Sequence, residues 1–104
     1  MHSVHALPYP VVIQSFADKP TEALWLGRRP PELPPSIHKV ALRKLTQLEA
    51  ALTLDELRIP PGNRLETLQG DRAGQHSIRV NDQYRVCFRW EGPNAHDVEI
   101  TDYH

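Results

Sequence analysis

The chain has 104 residues, a single cysteine and a formal net charge of −1, with 12 Lys and Arg residues against 13 Asp and Glu residues. This length predicts one domain with a modest hydrophobic core. One cysteine excludes an internal disulfide framework and fits a reducing cytoplasm. No apolar run approaches the ~20 residues that a membrane span needs, and the near-zero charge gives no global signal for nucleic-acid binding.

The charges are unevenly distributed along the chain. Residues 19–44 contain six Lys or Arg and two acids, whereas residues 91–104 contain four acids and neither Lys nor Arg. The neutral total therefore conceals a basic helical half and an acidic final strand. For each basic residue taken singly, a solvated helix surface is the simpler explanation.

The N-terminal segment is predicted to lie outside the domain. Residues 1–11 lack the basic start and the apolar core of a signal peptide, so we expect a flexible extension. The short, β-branched stretch of residues 11–15 favours an edge strand.

Two helices are predicted to follow. Asp18 is expected to cap a helix that begins near Lys19 and ends at Gly27. Four prolines within residues 28–35 predict a stiff, extended linker. Ser36 is then expected to cap the clearest helix in the chain. Its apolar stripe repeats at three and four residues: Ile37, Val40, Ala41, Leu45, Leu48 and Leu52.

The last third of the chain is predicted to be an antiparallel sheet. A helical turn at residues 54–57 and a break at residues 60–63 precede it. Alternating apolar residues over 76–90 indicate two strands, and residues 96–103 a third. A three-residue loop at 81–83 keeps every apolar side chain on one face, whereas a two-residue loop would mix the faces. Helices followed by an antiparallel sheet define an α+β fold.

The predicted hairpin register places Arg79 directly opposite Arg85, with Arg89 on the same face. Like charges in this position destabilise a sheet by up to ~1 kcal/mol. Two explanations remain open. Nearby acids, Asp97 and Glu99, neutralise the arginines, or the guanidinium groups hold a polyanion such as a phosphate backbone.

The other titratable side chains are expected to be structural. His38 is predicted to lie on the surface of the second helix, and His76 and His96 lie near strand starts. Cys87 shares the arginine face but has no His and acid arrangement for thiol catalysis, so we expect an inert thiol.

Three stretches of the chain carry a resemblance to a known family. They are residues 65–72 (LETLQGDR), 76–90 (HSIRVNDQYRVCFRW) and 98–104 (VEITDYH), preceded by residues 13–19 (IQSFADK). In this order and spacing they resemble the HigB branch of the RelE toxin superfamily. The resemblance covers residues 12–104 and implies a compact domain of two N-terminal helices on a twisted antiparallel sheet of three to five strands.

The resemblance implies the toxin of a type II toxin–antitoxin system. Such a toxin cleaves mRNA in the ribosomal decoding site without a metal or other cofactor, and a HigA-type helix-turn-helix antitoxin silences it. Operator DNA would be bound only through the toxin–antitoxin complex, because this chain contains no DNA-reading motif. A non-catalytic module of the same fold, which docks on the ribosome or on a protein, is the alternative.

The resemblance also implies site residues. The catalytic set would be the terminal Asp102, Tyr103 and His104 with Arg85 and, as a looser match, Arg79. The resemblance and the basic helical surface together suggest the following RNA-binding residues: Gln69, Arg72, Arg89, Lys39, Arg43 and Lys44. The chain departs from the family pattern at two positions, since Gln69 replaces a basic residue and Glu66 stands where some relatives carry histidine.

These residue types suit metal-independent RNA cleavage. Arginines can stabilise the charge that develops on the phosphorus, His104 or Asp102 can move protons, and Tyr103 can stack on a base. Structural explanations stand beside these roles. Tyr103 can cap the core, and Asp102 can pair with Arg85 or Arg89.

Overall fold

The computed structural model describes residues 11–103, so the expectations for residues 1–10 and for His104 lie outside it. Two helices precede a sheet whose four antiparallel strands are arranged in the order β1-β2-β3-β4. The helices are α1 (Lys19–Trp25) and α2 (Pro35–Ala50); the strands are β1 (Glu66–Thr67), β2 (His76–Arg79), β3 (Arg85–Glu91) and β4 (Asn94–Thr101). The predicted α+β fold is confirmed. Among residues 11–103, no helix has the length and apolar character to cross a membrane.

The predicted helix caps are found at α1 but not at α2. The Asp18 carboxylate accepts the Thr21 N–H at 3.0 Å, and Gly27 adopts a φ of 87° just past the helix. The expected Ser36 cap is wrong, because α2 already begins at Pro35 and no side chain caps it. Proline suits this position since its missing N–H would have had no helical partner.

The apolar stripe of α2 packs on the sheet, but it ends earlier than predicted. Ile37, Ala41, Leu45 and Leu48 are buried in the core with residues of the inner sheet face. Leu52 lies beyond the end of the helix and is 72% exposed, so its assignment to the stripe is wrong.

The hairpin has the predicted register. Ile78 pairs with Val86 and Arg79 with Arg85, and the Val80 N–H donates to the Tyr84 carbonyl at 2.9 Å across the three-residue loop. The apolar side chains of β2 and β3 therefore face α2, and the arginines lie on the opposite face of the sheet.

A β-bulge in β4 interrupts the simple alternation expected there. Cys87 pairs with Glu99 and Arg89 pairs with His96, so Asp97 and Val98 together lie opposite Phe88. Asp97 has a φ of 53°. The extra residue brings His96 to the face of Arg89, while residues 95, 98 and 100 are all buried.

Residues 11–17 lie along the outer edge of β4, at the position predicted for an edge strand, but the strand expected at residues 11–15 does not form. They form two isolated parallel bridges, Ile13 with Ala95 and Phe16 with Val98, and no regular strand. The break between the bridges falls at the β4 bulge. Both carboxylate oxygens of Glu49 in α2 bind this segment, accepting the N–H groups of Val12 at 3.2 Å and Ile13 at 2.9 Å.

Candidate functional site: an arginine cleft on the sheet

The arginine face of β2 and β3 opens into a cleft of about 430 Å³ near the hairpin loop. The cleft brings together three of the predicted catalytic residues, Arg79, Arg85 and Tyr103. Its complete lining is Arg64, Glu66, Arg79, Asn81, Asp82, Gln83, Arg85 and Tyr103.

Arg85 is held firmly within this cleft. Its Nε donates to Ser77 Oγ at 2.7 Å, and its Nη2 donates to the Arg64 carbonyl at 2.5 Å and lies 4.0 Å from a Glu66 carboxylate oxygen. The side chain is only 14% exposed. Among the described residues, no acceptor binds Nη1. The guanidinium is thus fixed on two edges and keeps donors for a ligand.

The paired arginines each have their own acid. Arg79 forms an ion pair with Asp82 of the hairpin loop, and Arg85 faces Glu66. Of the two explanations left open for the pair, neutralisation by nearby acids is present, but through Asp82 and Glu66 and not through Asp97 and Glu99. Those carboxylates lie 3.4 Å from Arg89 and 3.2 Å from Arg72 instead, because the bulge and the strand order bring them to the other arginines.

Tyr103 crosses from the end of β4 onto the arginine face. Its hydroxyl lies 3.1 Å from Ser77 Oγ and donates to Glu66 Oε1 at 3.3 Å, while the Arg72 guanidinium lies 5.6 Å from its ring centroid. Burial raises the pKa of the Tyr103 hydroxyl above its usual value, so Tyr103 is neutral near pH 7. The neutral hydroxyl can therefore donate as well as accept a hydrogen bond.

A second hollow shares Tyr103 with the cleft. It has a volume of about 290 Å³ and is lined by Leu68, Gln69, Asp71, Arg72 and Tyr103. Two predicted RNA-binding residues, Gln69 and Arg72, therefore lie near the same tyrosine that lines the cleft.

The remaining predicted site residues that the structure describes do not line the cleft. Asp102 accepts a hydrogen bond from Gln83 Nε2 at 3.0 Å, next to the cleft lining. His104 is outside the described residues. Lys39 and Arg43 are exposed on α2, and Arg89 pairs with Asp97.

Two residues expected on the surface of α2 are buried. Lys44 is 8% exposed, and its ammonium donates to Asn63 Oδ1 at 2.6 Å. Burial, followed by the charges of Arg43 and Arg79, lowers the pKa of Lys44. His38 is 6% exposed, with Nε2 2.9 Å from the Leu33 carbonyl. Both expectations of a surface position were wrong, because the proline linker and the turn at residues 61–63 cover this side of the helix.

Cys87 has the environment of an inert thiol. It is fully buried between Ser77 and Glu99 of the neighbouring strands. Burial raises the pKa of this thiol from 9.0 to about 11, although Arg72 lowers it in part. The thiol is therefore protonated near neutral pH, as expected from the sequence.

The structure adds Glu66 and Ser77 to the site. Glu66 is the only carboxylate in contact with both Arg85 and Tyr103 among the described residues, and it is half exposed in the cleft. Ser77 is fully buried, and its hydroxyl forms hydrogen bonds with the same two side chains, Arg85 and Tyr103. The Glu66–Ser77 pairing of β1 with β2 creates this arrangement. This pairing could not be predicted from the sequence, because a strand of only two residues gives too weak an alternation to fix its register.

The fold and the cleft define a class: a small α+β domain of the RelE-like type, with an arginine and tyrosine cleft on the sheet face that the helices leave open. The family model described as RelE-like toxin of type II toxin–antitoxin system HigB matches residues 14–104. The chain therefore belongs to this family, and the resemblance seen in the sequence is confirmed.

Two relatives illustrate the similarity. Over 58 residues, 56% of this chain and 61% of the relative, the sequence is 53% identical to Toxin HigB-1 of Vibrio cholerae serotype O1. Over 72 residues, 69% of this chain and 71% of the relative, it is 36% identical to an uncharacterized protein of Haemophilus influenzae. The chain thus spans about three-fifths of the length of the Vibrio toxin.

Proposed function

We propose that this protein is a ribosome-dependent endoribonuclease that cleaves mRNA in the arginine cleft and thereby inhibits translation and growth. The observation that carries the proposal is the fixed Arg85 guanidinium, which lies beside Glu66 and Tyr103 in an open cleft. A positioned cation with unused donors is suited to stabilising a phosphorane.

The cleft residues support a reaction in which the 2′-hydroxyl of one nucleotide attacks the adjacent phosphorus. Glu66 accepts the 2′-hydroxyl proton as the O2′–P bond forms. Arg85 and Arg79 stabilise the negative charge on the non-bridging oxygens. The P–O5′ bond then breaks, and the leaving oxygen takes a proton from the terminal segment, where His104 and Asp102 are the candidates. The products are a 2′,3′-cyclic phosphate and a 5′-hydroxyl.

The guanidinium groups supply the positive charge that this reaction needs, so we propose that cleavage requires no metal ion. The expected result is that a pre-assembled ribosome–mRNA complex is cleaved at the same rate when Ca²⁺ and spermidine replace Mg²⁺ as its counterions. Tyr103, which lines both hollows, contributes a base-stacking surface. The ribosome supplies the orientation of the message, which accounts for a site with few acid–base groups.

The proposed partners follow from the family. We propose that a HigA-type helix-turn-helix antitoxin binds this chain in the cytoplasm and blocks its activity. Operator DNA would be bound by the complex. A mobility-shift experiment with the isolated chain should therefore show no specific binding to its own promoter, whereas the complex should bind.

The decisive variant for catalysis is Glu66→Gln, which keeps the shape of the side chain and removes the proton acceptor. We expect it to lose about 10²-fold or more of cleavage rate while still binding ribosomes, since general base catalysis contributes about 10²–10⁴-fold. Induced expression should then no longer arrest growth. Glu32→Gln, the same change at an exposed position of the linker before α2, is the matched control and should remain toxic.

A non-catalytic binding module is the second candidate, and one observation favours it. Both cleft arginines already face carboxylates, Asp82 and Glu66, which partly neutralise their charge. On this alternative, translation stops without cleavage and the Glu66→Gln variant blocks translation as strongly as the unaltered protein. That result in a cell-free translation reaction would replace the endonuclease proposal.

A further inference from the structure

Lys44 is a buried cation whose hydrogen-bond partner is neutral. It lies on α2 with 8% exposure, and its ammonium donates to Asn63 Oδ1 at 2.6 Å. Within residues 11–103, no carboxylate lies within 4 Å of it. Burial of an unpaired charge is unfavourable, so the hydrogen bond to Asn63 is the feature that keeps this side chain in place.

Asn63 connects α2 to the chain that leads into the cleft. It is fully buried at the end of the turn Pro61–Asn63. Its Nδ2 donates to Gln47 Oε1 at 3.0 Å and to the carbonyls of Leu57 at 3.1 Å and Ile59 at 3.4 Å. With Lys44 bound to its oxygen, both ends of the amide are occupied, which fixes the turn on the helix.

The residue that follows Asn63 forms one side of the cleft. Arg64 has φ 46° and ψ 58°, a left-handed conformation that a non-glycine residue adopts only when its surroundings hold it there. This conformation presents the Arg64 carbonyl to Arg85 Nη2, at 2.5 Å. Ser77 holds the same guanidinium from the sheet, through Oγ at 2.7 Å and its carbonyl at 3.4 Å.

We propose that Lys44 and Asn63 are positioning residues for Arg85. From inside the molecule they hold the Arg64 carbonyl where it fixes the guanidinium in the cleft. Lys44 then acts without touching RNA, in contrast to the surface role expected from its position on a basic helix. The positioning is a property of the free protein, and only its effect on cleavage rests on the proposed function.

The test is the exchange with water of the protons on Arg85 Nη2, which donates to the Arg64 carbonyl, measured by low-temperature NMR on protein labelled with ¹⁵N-arginine and assigned with Arg85→Lys. Lys44→Met removes the hydrogen bond to Asn63 and keeps the volume of the side chain. We expect about tenfold faster Nη2–H exchange in this variant, as the loss of one buried hydrogen bond gives. Arg43→Gln, at the neighbouring exposed position, should exchange as the unaltered protein does.

The buried amide of Val86 separates positioning from general loss of stability. If Lys44→Met only destabilised the fold, the Val86 amide would exchange faster by the same factor, and the proposal would be overturned. Unchanged Nη2–H exchange would overturn it equally. Should Lys44→Met fail to fold, Lys44→Leu, which likewise has no N–H donor, takes its place with the same criteria.

A cleavage reaction on translating ribosomes gives the functional consequence. Lys44→Met should lower the single-turnover rate about tenfold and leave the half-saturating protein concentration unchanged, because a misplaced guanidinium affects the transition state more than docking. If the unaltered protein does not cleave, the proposed function fails, and the exchange measurement still decides whether Lys44 positions Arg85. If it cleaves and the variant cleaves equally fast, the proposed effect of this positioning on cleavage is overturned, while the endonuclease proposal stands.

Discussion

Arg85 shows how one side chain serves both the fold and the site. Ser77 and Arg64 bind two edges of its guanidinium, and Glu66 lies 4.0 Å away. Catalytic groups held in place before the ligand arrives need no reorganisation during the reaction. The contacts that appear purely structural therefore contribute directly to the proposed chemistry.

Cys87 provides a residue-scale prediction from the pH dependence of stability. Its folded pKa of about 11 exceeds its ordinary value of 9.0. Between these values the unfolded thiol ionises while the folded thiol stays protonated, so the free energy of unfolding falls as the pH rises. From pH 7 to pH 10.5, Cys87 should account for a loss of about 2 kcal/mol.

Urea unfolding of the unaltered protein and of Cys87→Ala at both pH values measures this contribution. The variant is less stable at pH 7 because it leaves a cavity, but it should lose about 2 kcal/mol less on going to pH 10.5. Equal alkaline losses in the two proteins would show that the thiol does not titrate as its burial requires.

At the scale of elements, Glu49 joins the N-terminal segment to α2. Its two carboxylate oxygens accept the N–H groups of Val12 and Ile13. Glu49→Ala leaves both donors without this acceptor, and we expect the free energy of unfolding to fall by about 2 kcal/mol. The amides of Gln14 and Ala17, which bind β4, should exchange with solvent faster as the segment loosens.

Glu56→Ala is the control, because its carboxylate accepts a single exposed N–H, that of Leu52, at 3.1 Å. It should cost well under 1 kcal/mol in the same urea unfolding experiment. A loss as large as that of Glu49→Ala would mean that removal of any acceptor, and not the attachment of the segment, explains the effect.

The sheet shows which elements a sequence can specify. The hairpin register follows from local alternation, because a shift of one residue would expose Ile78 and Val86. The α2 stripe likewise follows from its period. The β4 bulge breaks the period at Asp97, and a single extra residue gives no signal of its own in one sequence.

The cleft was only partly predictable, for a related reason. Arginines 79 and 85 were placed together by the hairpin, and Tyr103 by the resemblance. Their partners come from elsewhere in the chain: Tyr103 reaches Ser77 across 26 residues, and Lys44 reaches Asn63 across 19. Such contacts depend on how the elements pack, so periodicity placed Lys44 on the surface when it is buried.

Across the whole molecule, as far as the structure describes it, the basic side chains of the sheet face are paired with acids, whereas those exposed on α2 are not. On the sheet face, Arg72, Arg79, Arg85 and Arg89 all lie within 4.0 Å of a carboxylate. On the helical layer, Lys39 and Arg43 are exposed, and no ion pair involves them within residues 11–103. The near-neutral total therefore combines arginines that face carboxylates on the sheet with exposed basic side chains on the helical layer.

Mapping of 5′ ends on an mRNA incubated with the protein and translating ribosomes tests whether the cleft is the site of RNA cleavage. Reactions with Arg85→Gln, with Arg58→Gln at an exposed position outside the cleft, and without ribosomes provide the comparison. We predict new 5′ ends that require ribosomes, fall at least about 10²-fold with Arg85→Gln and persist with Arg58→Gln. Translation that stops without new 5′ ends, or cleavage unaffected by Arg85→Gln, would contradict the assignment of the cleft as the site of RNA cleavage.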